Sequence, residues 1–195
     1  MGMKQGPLTV HRLVRALLSQ GMTDAVLDLL TDKDQPGWAN LLERGATFTW
    51  EAWHLVEGTD YSQSHAWSAS VVKEILDHLL GVRFSSPGGS ELLIEPPLCR
   101  LNHASGTVPV NNGYVEAGWT RDGGQMRLEC TVPAGTAAVV RLPAGKYTVT
   151  SGDTHPTAEA AVVPSAAEAA GTQPAEHATR DFRVHAGTWS FTPRA

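Results

Sequence analysis

The sequence predicts a mixed, two-part chain: α-helical hairpins first, then an antiparallel β-sandwich. Three observations carry this. Apolar side chains recur at helical spacing through the first 84 residues and at a spacing of two from Ser85 onward. Turn signals punctuate the second part at short intervals. A strand-rich stretch of that kind forms a sandwich or barrel rather than a βαβ sheet. The expected division is 1–84, helical, and 85–195, sandwich.

The elements follow in order. Val10, Leu13, Val14, Leu17 and Leu18 lie at i, i+3, i+4, i+7 and i+8, and Gly21 stops that helix. Thr23 is placed to start a second helix through Leu30. A third, over 37–44, ends at Gly45 as a glycine cap. A fourth is expected over 66–80, with Trp67, Val71, Ile75, Leu79 and Leu80 on one face and Gly81 at its end. Leu92-Leu93-Ile94 begins the strands. Val115/Ala117/Trp119, Met126/Leu128/Cys130/Val132, Ala138/Val140/Leu142 and Tyr147/Val149 then alternate. Pro87-Gly88-Gly89, Asn111-Asn112-Gly113, Asp122-Gly123-Gly124, Pro133-Ala134-Gly135 and Pro143-Ala144-Gly145 mark the turns. Residues 153–179, rich in Ala, Pro, Thr and Glu, read as a flexible insertion. Phe182/Val184 and Trp189/Phe191 restore the alternation as closing strands.

Composition excludes several classes. A net charge of −5 and no basic cluster argue against nucleic acid as a partner. No run reaches the ~18 apolar residues of a membrane span, so no membrane partner is expected. The N-terminal apolar pattern is broken by His11, Arg12 and Arg15, which does not suit a signal peptide; a cytoplasmic location is the expectation. Cys99 and Cys130 have neither disulfide-framework nor metal spacing, and Cys130 reads as a buried strand thiol. No metal and no cofactor is expected.

The chemistry concentrates in residues 47–71, which hold three of the six tryptophans, two histidines and three carboxylates. Glu51 stands between Trp50 and Trp53, and His65 and Trp67 follow a polar loop. Indole faces stack on the apolar C–H face of a pyranose, while carboxylate and imidazole hydrogen-bond its hydroxyls. A carboxylate in such a pocket suits general acid or base work, and glycoside hydrolysis uses two of them. A plainer reading stays open. Trp50 and Trp53 can be core, Glu51 a helix-start residue capped by Thr47 or Thr49, and His65 an N-cap neighbour.

Several pieces together resemble the C-terminal end of bacterial α-L-rhamnosidases, glycoside hydrolase family seventy-eight. They are GATFTWEAW (45–53), SHAWSA (64–69), LLGV (79–82), Pro87-Gly88, ASGTVP (104–109), PAGTA (133–137) and PAGKYTVTSG (143–152). The resemblance runs from about residue 5 to 152, with the strand near 182–191 as a further match. It implies that the helical part is the end of an (α/α)6 barrel. It implies inverting hydrolysis of terminal α-L-rhamnosides, with Glu51 as general base and His65 at the sugar. Trp50 and Trp53 would wall the same pocket. Inversion places a water between carboxylates ~6.5–9.5 Å apart.

The departure is as informative. The family's upstream Arg-Asp-Arg-like run and Trp-x-Gly-Asp, which supply the general acid and most sugar contacts, have no counterpart in these 195 residues. Glu43, Glu57 and Asp60 do not match that motif. The expectation is therefore the C-terminal portion of an inverting α-L-rhamnosidase, carrying the base and lacking the acid. A complementary chain or self-association would cover its exposed helix faces. The alternative is a non-catalytic carbohydrate-binding or interaction module, or a vestigial truncated product.

Overall fold

The computed structural model describes residues 3–54, 60–152, 161–163 and 178–194. Its contacts divide the chain into two compact units, Met1–Ile75 with Leu98–Arg100, and Leu76–Pro97 with Leu101–Ala195.

The first unit is helical. Pro7–Ser19 forms α1, with Pro7 at its first turn, where a missing N–H costs no hydrogen bond. Val10, Val14 and Leu18 are buried along one face, and Gly21 turns the chain at a φ of 72°. Thr23–Thr31 is α2, burying Val26 and Leu27, and Trp38–Glu43 is α3, burying Leu41. Gly45 caps α3 as its sequence position predicts: φ is 81°, its amide donates to Leu42 O (2.9 Å), and Ala46 N donates to Leu41 O (3.0 Å).

The helix expected over 66–80 is broken into three windings. Ala66–Ser70 is a 3₁₀ turn, Val71–Glu74 is α4, and Ile75–Leu80 is a π turn. The π winding ends where Gly81 N donates to Leu76 O, five residues back, at 3.1 Å. Its wider turn leaves both Leu79 and Leu80 buried. Glu74, 1% exposed, accepts from Arg15 Nε (2.9 Å) and Nη2 (2.7 Å), which ties α4 to α1. Residues 98–100 join this unit through Arg100, whose amide donates to Asp24 Oδ1 at 2.8 Å.

The second unit is a sandwich of two five-stranded sheets. The strands are β1 (Val82–Phe84), β2 (Glu91–Ile94), β3 (His103–Val110), β4 (Gly113–Asp122), β5 (Gln125–Val132), β6 (Ala137–Pro143), β7 (Tyr147–Ser151), β8 (Ala161–Val163), β9 (Thr179–Val184) and β10 (Gly187–Pro193). One sheet runs β1-β2-β6-β9-β8, the other β3-β4-β5-β10-β7. Strand pairing begins at Val82, inside the stretch read as helical. Among the described residues all strand pairs are antiparallel except β2–β6. A parallel neighbour needs a crossover, and here β3, β4 and β5 in the opposite sheet supply it.

The alternating positions meet between the sheets. Leu92, Ile94, Val140, Leu142 and Phe182 face Val115, Trp119, Met126, Leu128 and Phe191 in one core. Burying each large apolar side chain contributes ~1.5–3 kcal/mol. The Trp119 indole N–H, 2% exposed, donates to Leu79 O at 3.2 Å, so the polar atom is satisfied inside the core. Cys130 is a buried strand thiol, as its alternation indicates. The segment read as an insertion, 153–179, lies outside the described residues except for β8, Ala178 and the start of β9. Among the described residues no helix is long and apolar enough to cross a membrane.

Candidate functional site

The Gly45 cap releases the chain from α3 into an irregular arm, residues 46–54, which runs beside a second arm, 60–65. Four hydrogen bonds hold them. Glu51 N donates to Ser62 O (2.9 Å) and His65 N to Thr49 O (2.7 Å). The Thr49 hydroxyl donates to His65 O (2.7 Å), and Ser62 N donates to Glu51 Oε2 (2.9 Å). Ser68 Oγ also donates to Trp50 O, anchoring the arm to the 3₁₀ turn. Thr49 therefore bonds the second arm rather than capping a helix, and no helix starts at Glu51.

Glu51 is half-buried, with one carboxylate oxygen fixed by the Ser62 amide. The His65 ring stacks on Trp67, centroids 3.9 Å apart and planes at 23°. His65 Nδ1 and Trp67 Nε1 are buried without a hydrogen-bond partner among the described residues. Such groups are uncommon in folded proteins, because each forfeits its hydration without replacement.

The two remaining tryptophans are well secured. Trp53 is 5% exposed, its N–H donates to Gln5 O (2.6 Å), and the Trp38 ring meets it edge-on at 4.9 Å. Trp50 is 6% exposed beneath the Arg44 guanidinium, 5.2 Å from the ring centroid. A cleft of about 680 Å³ opens beside it, lined among others by Arg44, Phe48, Trp50, Ser62 and Ser64. Trp50 reaches that lining, whereas Glu51, Trp53 and His65 are not among its residues.

Of the other carboxylates, Glu43 pairs with Lys33 at 2.6 Å, Asp60 is exposed, and Glu57 lies outside the described residues. The buried Glu74 was not singled out from the sequence. Its partner Arg15 lies 59 residues away, beyond the reach of any local pattern.

Comparison with known proteins matches this arrangement. Residues 2–78 match the bacterial alpha-L-rhamnosidase 6 hairpin glycosidase domain, and residues 81–155 match the bacterial alpha-L-rhamnosidase C-terminal domain. An alpha-L-rhamnosidase of Alteromonas sp. (strain LOR) is 30% identical over 155 residues, which are 75% of this chain and 17% of that protein. One from Streptomyces avermitilis is 28% identical over 147 residues, 71% of this chain and 14% of that protein. The chain thus spans under a fifth of these relatives' length. The solved alpha-L-rhamnosidase of Dictyoglumus thermophilum superposes with a TM-score of 0.76 at 22% identity, covering 99% of this chain and 21% of that one. The Streptomyces avermitilis structure complexed with L-rhamnose gives 0.76 at 23% identity, covering 99% and 18%. The chain belongs to the bacterial α-L-rhamnosidase family, and it corresponds to the C-terminal region of the family's longer members.

Proposed function

We propose that this chain forms the base side of an inverting α-L-rhamnosidase site, with Glu51 as general base, His65 and Trp50 as sugar-binding residues, and Trp53 as the buried backing of that pocket. One observation carries the reading. The two bonded arms hold a half-buried carboxylate, one oxygen fixed to the Ser62 amide, beside a histidine whose buried Nδ1 lacks a partner among the described residues. A fixed carboxylate presents its second oxygen in a set direction, which a water-activating base requires. A sugar hydroxyl would satisfy the ring nitrogen.

Glu51 would take a proton from water as that water attacks the anomeric carbon. An acid on the opposite face would protonate the leaving oxygen. That acid belongs to the segment with no counterpart in these 195 residues, so it would come from the preceding part of the barrel. L-rhamnose is the sugar seen with the Streptomyces avermitilis relative, and it is the ligand proposed here.

The 195-residue chain alone should not release nitrophenol from an aryl α-L-rhamnoside faster than its Glu51→Gln variant. Titration with methyl α-L-rhamnopyranoside should shift the Ser62 amide and His65 ring signals in an NMR spectrum. Joined to the upstream barrel of the Streptomyces avermitilis relative, the chain should support inverting hydrolysis, and Glu51→Gln should lower kcat by about 10²–10⁴. Brisk hydrolysis by the isolated chain, lost in Glu51→Gln, would refute the incomplete site. A joined enzyme indifferent to Glu51→Gln would refute the base.

A further inference from the structure

The outward face of the sheet β3-β4-β5-β10-β7 carries an unusual glycine. Gly118 sits mid-strand in β4, between the buried Ala117 and Trp119, so its own side-chain position points outward. Ser105 of β3 and Glu129 of β5 are its direct neighbours across the sheet. Glycine weakens a strand interior, and it persists there where the backbone needs a positive φ, where packing leaves no room, or where something approaches closely. The first two reasons do not hold. The Gly118 φ is not positive, and a methyl group built on it would meet only Ser105 Cβ at 3.6 Å and Ala104 O at 3.9 Å, ordinary contacts. Gly106, one strand away, differs: a methyl there would press on Leu80 Cδ2 at 3.2 Å.

The missing side chain leaves a trough. Two depressions, of about 420 and 400 Å³, meet at Ser105, Gly118 and Glu129. Around Gly118 stand the exposed side chains of Ser105, Glu116, Thr120, Arg127 and Glu129. Glu129 is steadied by Ser190 Oγ, which donates to its Oε1 at 3.5 Å, and the neighbouring Thr131 and Thr188 hydroxyls lie 3.2 Å apart.

The chemistry of that ring selects a ligand class. Two carboxylates against one guanidinium disfavour phosphates and nucleic acids. The large apolar residues of the same strands, Trp119 and Leu128, are 2% exposed and turned into the core, so the trough offers little to a lipid or an aromatic ligand. Carboxylates, hydroxyls and a guanidinium spread over a shallow floor suit a neutral polyol: the carboxylates accept from adjacent hydroxyls, and Arg127 donates to ring or hydroxyl oxygens. We propose that the Gly118 trough on the sandwich binds a pyranose unit of a glycan, at a site separate from Glu51. The trough lies wholly within the sandwich, and binding there is independent of the proposed rhamnosidase chemistry.

Methyl α-L-rhamnopyranoside and methyl α-D-mannopyranoside should each be titrated into the ¹⁵N-labelled chain to about 100 mM, which saturates a site with a Kd of a few mM. At least one should shift the amides of Ser105, Gly118 and Glu129. Gly118→Val fills the trough with a strand-favouring side chain and should raise that Kd at least ~10-fold without lowering the thermal unfolding midpoint. Glu129→Gln should weaken binding similarly, and it decides the matter if the valine variant fails to fold. Glu51→Gln should leave these three amide shifts intact, which separates this site from the proposed hydrolytic one. The proposal is overturned if neither sugar moves these amides, or if binding survives both sandwich variants.

Discussion

Arg141→Met tests how the sandwich tolerates a charge on its sheet β1-β2-β6-β9-β8. Arg141 Nε and Nη2 donate to the two oxygens of Asp181, each at 2.8 Å, a fork fitted to a carboxylate. Asp181 is 3% exposed, so its charge relies on that fork. Around it, Arg141 Nη1 stands 3.7 Å from Glu95, and Glu95 also pairs with Arg83. Methionine keeps the aliphatic stem and removes the guanidinium, leaving a buried carboxylate unpaired. Breaking such a pair costs about 3–5 kcal/mol. At roughly 3 °C per kcal/mol for a chain of this size, the melting temperature should fall by about 9–15 °C. The hydrogen bonds it donates to Asp181 hold the Arg141 guanidinium above its already high range, so stability from its charge would be lost only at extreme alkaline pH. Titration of the arginine therefore adds no pH dependence to the deficit between about pH 6 and 9. Urea unfolding followed by tryptophan fluorescence measures it. The double variant Arg141→Met/Asp181→Leu should recover most of the loss, since an apolar pair of similar volume removes the stranded charge. A single-variant cost below about 1 kcal/mol, or a double variant as unstable as the single, would refute the reasoning.

Burial pushes the Cys130 thiol from 9.0 up to about 12. Below pH 9 it is protonated in both folded and unfolded chains; above that only the unfolded chain ionises. Stability should then fall by about 1.4 kcal/mol per pH unit on the way to 12, a slope missing in Cys130→Val, and denaturant titrations at stepped pH would show it. An unchanged slope in the variant would count against a buried thiol. Gly81 and Gly123 form a second comparison. Gly81 has a φ of 87°, and a methyl there would overlap the Glu95 carbonyl, whereas Gly123 has a φ of 53° and open space. Gly81→Ala should cost about 3 kcal/mol or more and Gly123→Ala about 1 kcal/mol, read from urea midpoints. Equal costs would mean that the backbone at Gly81 yields freely.

Much of the architecture was legible because it is local. Val10, Val14 and Leu18 share a helix face through 3.6-residue periodicity, and Gly45 ends α3 because a left-handed cap suits glycine. Val115, Ala117 and Trp119 face one core through the two-residue pleat. Strand β3 is harder to see. Its inward positions include the small Ala104 and Gly106, and it carries Pro109, which an edge strand tolerates. Residue order alone reveals the succession of helices and sandwich, the capped turns, the buried Cys130 and the family. It also singled out Glu51 and His65 through matched motifs.

Features that depend on partners distant along the chain emerge only once it is folded. The parallel β2–β6 pair needs three intervening strands in the other sheet. The fork between Arg141 and Asp181 spans 40 residues, and the Arg15–Glu74 pair spans 59. Ser62 bonds the Glu51 carboxylate from 11 residues along the chain, and nothing local in the sequence shows such a bond. Gly118 reads as an ordinary strand residue until its neighbours across the sheet show that nothing packs where its side chain would be. Periodicity records which way each side chain faces. The neighbour it meets there is set by how the chain closes on itself, and one residue type at one position does not specify that.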